Sequence, residues 1–315
     1  MDNEKKRKAN NYAVIDFGSN SIRMLIFRRD KKGNLFQVNR SLRYTRLGQH
    51  VGKSGMICDD AMSRNLEAAD EFAGIARDYD VREIYAFGTS ALRDAANSRQ
   101  FLDLIKERTG IEIDILSGEQ EAQYGFIGVS QCFKGSVLVF DIGGGSTELI
   151  YGKTEINDMI SLNLGCVRST EDYLHQDPPK KEELDALFDH AYDTIHTALS
   201  GFHFNQEEYK LVGIGGTVTS LATIDQQLLI YDSTKVHNSV ITEKELDDMI
   251  ANLASRNLEE RQTIPGLEAK RADIILAGAI IVKAVLKATG RDAFTVCDYD
   301  NMEGAAWTRY ISQGR

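Results

Sequence analysis

The sequence predicts a two-domain α/β protein, and three observations support this prediction. At 315 residues, the chain is longer than one ordinary domain. Predicted strands and helices alternate along it, which is typical of α/β folds. The third observation is an internal repeat, in which an apolar strand ends in Asp and a turn containing Gly and Ser leads into the next strand.

The elements of the first half follow from apolar periodicity. Two strands flank a tight polar turn at Asp16–Asn20, and the last helix ends before Gly110. In chain order we expect strands Tyr12–Ile15, Ser21–Phe27 and Leu35–Leu42, helix Ala61–Tyr79, strand Glu83–Phe87, a mostly helical Ala91–Thr109 and strand Ile111–Leu116.

The second half begins by repeating the opening of the first. Strands Ser136–Phe140 and Thr147–Tyr151 flank the turn Asp141–Ser146. Laying residues 13–25 on residues 138–150 aligns Val14, Asp16, Gly18 and Ser21 with Val139, Asp141, Gly143 and Ser146. Duplication explains the shared placement of the Asp and the turn, and two unrelated β-hairpins are the alternative.

The remaining elements are mostly helical. The first of these helices follows the break at Pro178-Pro179. We expect helix Lys180–Ser200, strand Lys210–Ile214, helices Val218–Ile224, Glu243–Asn257 and Arg271–Thr289, strand Ala293–Val296 and helix Met302–Tyr310.

Composition excludes several classes of protein. The net charge of −10 weighs against a nucleic-acid binder, and no apolar run is long enough to span a membrane. The charged start of the chain, residues 1–11, is expected to be a disordered tail rather than a secretory signal. The four cysteines form no CxxC pair, which fits a reducing cytoplasm, and the six histidines form no metal-binding motif. His237 is therefore read as structural.

Four turns at strand ends have the composition of phosphate-binding loops, because glycine lets backbone N–H groups approach an anion closely. Asp16 and Asp141 precede two of them, where they are expected to hold Mg²⁺ or another divalent cation. The expected phosphate-binding residues are Gly18, Ser19, Asn20, Ser21, Thr89, Ser90, Gly143, Gly144, Gly145, Ser146, Thr147, Gly215, Gly216 and Thr217. For any single turn, a plain tight β-turn is the alternative.

Glu121 is the expected catalytic base. It follows Ser117, which forms a predicted capping box with Gln120 at the start of a helix, and phosphoanhydride hydrolysis needs a carboxylate to orient and deprotonate water. The alternative is that Glu121 only complements the dipole of the helix. Glu148 is expected to bind the metal or assist Glu121, and Arg93 to neutralise phosphate charge. Arg23, Arg46 and Arg168 are candidates for a basic lining.

These motifs occur together in one family. The sequence resembles the exopolyphosphatase / guanosine pentaphosphate phosphohydrolase family over about residues 12–310. The resemblance rests on Asp16–Ser21, Thr89–Arg93, Ser117–Ala122, Asp141–Glu148, Leu164–Arg168 and Gly213–Thr217.

The resemblance implies the actin-like, sugar-kinase-like superfold, with two ribonuclease-H-like domains around an active-site cleft. The first domain would comprise residues 12–118 and 301–315, and the second residues 119–300. It also implies Mg²⁺-dependent release of terminal phosphate from polyphosphate or guanosine pentaphosphate, with Glu121 as base, and a possible homodimer.

Two departures from the family pattern stand out. Asn238 follows His237 where the family commonly has glycine, and the sequence ends near the end of the two-domain core. Without the helical C-terminal extension of longer members, short polyphosphates or nucleotides are expected to suit the site as well as long chains. A kinase or ATPase of the same superfold, and a non-catalytic polyphosphate or alarmone sensor, are the alternative functions.

Overall fold

The computed structural model describes residues 10–29, 34–204 and 209–311. Most of the predicted tail lies outside these ranges, but Asn11, which was assigned to the tail, is the first residue of a strand. The strands are β1 (Asn11–Phe17), β2 (Ile22–Arg29), β3 (Leu35–Arg43), β4 (Val81–Gly88), β5 (Ile113–Ile115), β6 (Val137–Ile142), β7 (Thr147–Gly152), β8 (Ile156–Leu162), β9 (Lys210–Ile214), β10 (Val240–Thr242) and β11 (Ala293–Val296).

The strands form two sheets with the same order. The first runs β3-β2-β1-β4-β5, and the second runs β8-β7-β6-β9-β11 with β10 added at its edge. In each sheet an antiparallel meander of three strands is followed by two parallel strands on the other side of the first strand. This duplicated topology confirms the predicted α/β fold of two ribonuclease-H-like units, the actin-like superfold.

Helices cover the sheets and connect the parallel strands. They are α1 (Val51–Ser54), α2 (Asp59–Asp78), α3 (Ser90–Asp94), α4 (Ser98–Thr109), α5 (Gly118–Ser130), α6 (Cys166–Tyr173), α7 (Lys181–Leu199), α8 (Gly215–Asp225), α9 (Ser233–Val236), α10 (Glu243–Ala254), α11 (Leu258–Arg261), α12 (Ile275–Thr289) and α13 (Asn301–Ala306). A π-helical turn, Trp307–Ile311, extends α13. No helix within the described ranges is both long and apolar enough to cross a membrane.

Two details differ from the expected elements. The stretch Ala91–Thr109 is two helices rather than one, because the chain becomes extended at Ala95 and Asn97 begins a new helix as its N-cap. The helix expected from Arg271 begins at Ile275, after a short 3₁₀ turn. Strands β8 and β10 and helices α1, α6, α9 and α11 are not among the predicted elements.

Each sheet packs its helices around its own core. Phe17, Phe72 and Phe101 belong to the apolar cluster beside the first sheet, and Phe140 and Phe294 to the larger cluster beside the second. Helix α5 lies between the two, since Tyr124 joins a cluster with Met302 while Phe126 joins one with Val139. The N-terminal end of α5 is therefore held where the two sheets approach each other.

Candidate active site

One cavity of about 890 Å³ lies between the two sheets and collects the predicted turns. Residues of all four turns line it, including Ser19, Ser90, Gly144 and Gly216. Its acidic lining residues are Asp16, Glu121, Asp141, Glu148, Glu268, Asp298 and Asp300, and its basic ones are Arg23, Arg40 and Arg271. The lining thus contains seven carboxylates and only three guanidinium groups. Its own positive charge is too small to bind a polyanion without an added cation.

The two repeated turns have the same internal geometry. The N–H of Gly18 donates to the carbonyl of Ser21 at 3.0 Å, and the N–H of Gly143 donates to the carbonyl of Ser146 at 2.9 Å. The alignment of these residues by sequence is therefore also an alignment in structure. The N–H groups of Gly18 and Gly143 are used inside the turns, so they are not available as the predicted donors to a phosphate.

At the cavity floor, the turn Asp141–Ser146 contacts both the turn Asp16–Ser21 and the Thr89–Ser90 turn. Side-chain oxygens of Ser19 and Ser90 lie 2.9 Å apart. A Cβ atom added at Gly144 would lie 2.7 Å from Cβ of Ser19, and one added at Gly145 would lie 2.7 Å from Oγ of Ser90. Only glycine allows this approach, so these two glycines are required for contact between the turns as well as for access by a ligand.

Asp16 is paired with a cation. Arg23, opposite it in the β1–β2 register, donates to its carboxylate from Nε at 3.2 Å, and also binds Asp300. Burial raises the pKa of Asp16 against the opposing effect of Arg23. Its Oδ1 is buried and has no hydrogen-bond partner. That oxygen is a candidate ligand for a cation.

Asp141 has an acidic neighbour instead. Glu148 is opposite it in the β6–β7 register. Burial raises the pKa of Asp141 strongly, and the negative charge of Glu148 raises it further. Burial also raises the pKa of Glu148, whose carboxylate accepts a hydrogen bond from Oγ of Ser161 at 2.7 Å. This pair of carboxylates is stable as two anions only if positive charge is supplied.

Glu121 reaches the cavity from the first turn of α5. The predicted capping box is confirmed, since Gln120 N–H donates to Ser117 Oγ at 3.2 Å and Ser117 N–H to Gln120 Oε1 at 2.9 Å. Glu121 is only 5% exposed and is ion-paired with Arg93. Burial raises its pKa well above the usual range, and Glu148 adds to this, while Arg93 opposes it. A buried carboxyl with a raised pKa, held by one arginine, has the properties of a general base.

Several predicted residues lie elsewhere. The hydroxyls of Thr147 and Thr217 are buried and donate to the carbonyls of Leu164 and Ile142, so they fix the backbone and do not face a ligand. Gly145 lines a small pocket on the far side of the floor. Arg93 acts on Glu121 rather than on the cavity directly, and also donates to the carbonyl of Leu116 at 2.8 Å.

The candidate basic lining is corrected in the same way. Of the three arginines, only Arg23 lines the cavity. Arg46 pairs with Asp273 at 3.0 Å, and Arg168 joins the Gly145 carbonyl at 3.1 Å to Asp94 at 2.7 Å. Arg46 and Arg168 each connect segments that are distant in sequence, so their contacts stabilise the fold.

The third glycine turn supports Asp141. Gly215 begins α8 with a φ of 80°, and a Cβ atom there would lie 2.2 Å from Oδ1 of Asp141. Gly216 lies against the guanidinium of Arg271. Because Gly215 and Gly216 have no side chains, there is room for the carboxylate and the guanidinium. This turn therefore shapes the site, even though the Thr217 hydroxyl does not face it.

Residues after β11 complete one wall, and sequence reasoning assigned them no role. Asp300 caps α13, accepting from Met302 N–H at 3.0 Å, and binds Arg23. Arg23 and Arg40 hold the pKa of Asp300 below its usual value against the effect of burial. Arg40 contacts Glu303 at 2.6 Å. The spacing of Asp300 and Glu303 matches a capping box, and this was the available sequence signal.

Another part of the cavity lining is apolar and partly exposed. Its wall includes Leu228, Leu229, Pro265 and Leu267, together with Tyr231, whose hydroxyl binds Asp298. Leu229 is 86% exposed although it lines the cavity. Such a wall offers contact area to a planar or apolar group rather than to phosphate.

The residues fit a hard divalent cation. Carboxylate oxygens are the ligands that Mg²⁺ prefers. Oδ1 of Asp16 has no hydrogen-bond partner, and the Asp141–Glu148 pair lacks a neutralising positive charge. Asp16, Asp141 and Glu148 do not, however, form a compact three-ligand cluster among the described residues. Mg²⁺ that keeps water and phosphate ligands usually needs only one or two direct protein carboxylates, so the three residues stay candidates for holding it directly or through water.

Comparison with known proteins adds evidence independent of this geometry. The model of the Ppx/GppA phosphatase family matches residues 25–309. Exopolyphosphatase 2 of Mycobacterium tuberculosis is 30% identical over 309 residues, covering 93% of this chain and 97% of that protein.

Two further relatives extend the comparison. The bifunctional 3-dehydroquinate synthase/phosphatase of Fusobacterium nucleatum is 35% identical over 306 residues, which cover 93% of this chain but only 46% of that longer protein. Among solved structures, an Aquifex aeolicus member of the Ppx/GppA family superimposes with a TM-score of 0.81 at 30% identity, covering 97% of this chain and 99% of that one.

Proposed function

The chain belongs to the Ppx/GppA phosphatase family, and from this premise we propose that it is an exopolyphosphatase. In this proposal it releases terminal orthophosphate from inorganic polyphosphate. The observation that carries the proposal is that one cavity brings Glu121 together with both repeated turns and with Asp16 and Asp141. The name of the Mycobacterium tuberculosis relative supports the same substrate class.

Glu121 is proposed as the group that orients and deprotonates the attacking water. Its raised pKa makes it a stronger base than an exposed glutamate once it is ionised. Arg93 fixes the direction of the carboxylate through their ion pair. Glu148 sits near enough to raise the pKa of Glu121, so the two carboxylates have separate tasks, with Glu121 on water and Glu148 toward the cation.

The terminal phosphate is proposed to bind between the turns. Nδ2 of Asn20 and Nε of Arg271 are buried in the cavity wall without hydrogen-bond partners, so both are donors available to phosphate oxygens. Gly144 brings backbone N–H into the same space. Arg23 and Arg40 contribute charge, although both are partly neutralised by their own carboxylate partners.

Asp16, Asp141 and Glu148 are proposed to hold Mg²⁺. When bound, the cation would neutralise charge on the phosphoanhydride oxygens and complement the carboxylates that lack partners. This accounts for a polyanion binding to a cavity with seven acidic residues in a chain of net charge −10.

Phosphate release measured side by side on short polyphosphate, long polyphosphate, guanosine pentaphosphate and ATP tests the proposal. We expect Mg²⁺-dependent release with the highest kcat/KM on polyphosphate. Faster turnover of ATP would assign the chain to the kinase or ATPase class. Binding of polyphosphate without any release would make it a sensor.

Guanosine pentaphosphate is the second candidate substrate, and the apolar wall favours it. Leu228, Leu229 and Pro265 lie in the same cavity as the catalytic carboxylates. A nucleoside attached to the phosphate chain could pack on these side chains, whereas inorganic polyphosphate has no group that would use them. A higher kcat/KM on guanosine pentaphosphate than on polyphosphate in the same assay would support this candidate.

A further inference from the structure

Three side chains outside the cavity lining come together in the fold. Cys132 follows α5, His237 follows α9, and Cys297 follows β11. The two sulfur atoms and an imidazole nitrogen all lie within 4.8 Å of one another. We propose that Cys132, His237 and Cys297 form a binding site for Zn²⁺, distinct from the proposed Mg²⁺ site.

The chemistry of the donors selects this class of metal. Thiolate and imidazole ligands suit Zn²⁺ and are poor ligands for Mg²⁺, which prefers oxygen. In a tetrahedral site with Zn–S near 2.3 Å and Zn–N near 2.0 Å, ligand atoms stand about 3.5–3.8 Å apart. The observed limit of 4.8 Å therefore requires a closure of at most about 1.3 Å, which is within the reach of side-chain rotation.

The backbone of each ligand is already fixed. Cys132 N–H donates to the Val129 carbonyl at 2.9 Å, and Cys297 N–H donates to the Gly213 carbonyl at 2.9 Å. His237 N–H donates to the Ser233 carbonyl at 2.9 Å. Three ligands from three separate segments are thus held in place by main-chain hydrogen bonds, which lowers the ordering cost of binding a metal.

The site is enclosed but reachable. Cys297 is fully buried, whereas Cys132 and His237 are half-buried, which leaves a path for an ion from solvent. The rings of Phe133 and Tyr299 lie 6.1 Å and 6.0 Å from the imidazole ring, centroid to centroid. An apolar shell of this kind strengthens metal–ligand bonds by excluding water.

The site is also connected to the cavity. Nδ1 of His237 accepts a hydrogen bond from the backbone N–H of Asp298 at 3.3 Å. The carboxylate of Asp298 contacts Tyr231 and Arg40 on the cavity wall. A neutral imidazole has one free lone pair, so a bound metal would take the place of this hydrogen bond. Cys297 directly precedes Asp298, so a metal bound at the three ligands would hold the segment that carries Asp298 and Asp300. We expect its task to be to stabilise this wall.

Titration of the reduced full chain with Co²⁺, used as a spectroscopic substitute for Zn²⁺, tests the proposal. We expect one Co²⁺ per chain, with a sulfur-to-cobalt charge-transfer band and the strong visible bands of tetrahedral cobalt. Zn²⁺ should displace the ion and abolish the bands, whereas a large excess of Mg²⁺ should not. The charge-transfer band separates this site from the proposed Mg²⁺ site, whose proposed ligands, Asp16, Asp141 and Glu148, are all carboxylates.

Matched variants locate the site. Cys132→Ser and His237→Ala alter half-buried side chains, and each should lose the band or weaken cobalt binding at least tenfold. Cys58→Ser, which changes a half-buried cysteine outside the group, should leave it unchanged. Circular dichroism confirms that each variant is folded.

Two outcomes overturn the proposal. One is a folded wild-type chain that, kept reduced throughout the titration, takes up no thiolate-bound cobalt. The other is a band that Cys132→Ser retains with an unchanged affinity for cobalt. Neither result bears on phosphate release from polyphosphate, which is measured separately.

Discussion

Arg23 and Glu148 occupy equivalent positions in the two repeated hairpins, each paired across its hairpin with the aspartate that ends the preceding strand. The charges differ, so Asp16 faces a cation whereas Asp141 faces a second carboxylate. The first turn is therefore neutralised by the protein itself. The second turn depends on a bound cation for neutralisation. Asp141 and Glu148 are therefore stronger candidates than Asp16 for holding the metal.

The assignment of Glu121 predicts the effect of Glu121→Gln. Loss of a general base should lower kcat for phosphate release by about 10²- to 10⁴-fold while KM and the melting temperature change little. Glu119→Gln is the matched control, because Glu119 is exposed two residues away on the same helix turn. Equal activity of the two variants would show that Glu121 is not the base.

The ion pair between Arg93 and Glu121 predicts a pH effect. Because the pKa of Glu121 is raised, its base form appears only as pH rises through that value, so kcat/KM should increase with pH above the range of an ordinary glutamate. Arg93 lowers this pKa, and Arg93→Gln should therefore move the acidic limb of the pH profile to higher pH. Arg99→Gln, at an exposed position, should leave the limb in place.

The metal requirement is predicted to depend on Asp141. Asp141→Asn should raise the Mg²⁺ concentration for half-maximal rate by about 10- to 100-fold, the range seen when metal sites lose a supporting group. Asp172→Asn changes an exposed carboxylate and serves as control for net charge. A Mg²⁺ titration that is the same for Asp141→Asn and wild type would remove Asp141 from the metal site.

Contact between the turns predicts the effect of Gly144→Ala. The added methyl group would lie 2.7 Å from Cβ of Ser19, and overpacking of this kind costs about 1–3 kcal/mol. Urea unfolding should show this loss together with reduced activity. Gly74→Ala, in the middle of α2 with only the end of Arg77 nearby, should be neutral or stabilising. If Gly144→Ala were more stable than Gly74→Ala, the cavity floor would not be packed as described.

The apolar wall predicts a difference between substrates. Leu229→Ser should lower kcat/KM for guanosine pentaphosphate and leave polyphosphate hydrolysis unchanged, because only the nucleoside has a group to pack there. Ile230→Ser is a close control, since Ile230 is 84% exposed but does not line the cavity. Equal losses on both substrates would show that the wall contacts the phosphate chain.

Local signals allowed much of this fold to be predicted. The duplicated turn was visible because it is a contiguous pattern, and the Ser117 capping box was visible because its residues are three apart. Strand β8 was missed because its residues are mostly half-buried and show no clean alternation. The break at Ala95 was missed because the segment contains neither glycine nor proline.

Long-range contacts were beyond prediction. The hydroxyls of Thr147 and Thr217 are turned to carbonyls that only the folded structure brings near. Cys132, His237 and Cys297 are separated by more than fifty residues from one another, so no spacing could reveal them. A cysteine count and a search for short motifs both fail for a group assembled by topology.

The closed floor of the cavity limits the shape of a substrate. Ser19 and Gly144 line both the large cavity and the small pocket behind it, and that pocket has a volume of only about 20 Å³, room for about one water molecule. A phosphate polymer therefore cannot pass through the floor between these two turns. In the proposed exopolyphosphatase, a closed floor would receive the terminal phosphate of a chain, and this favours cleavage at the chain end.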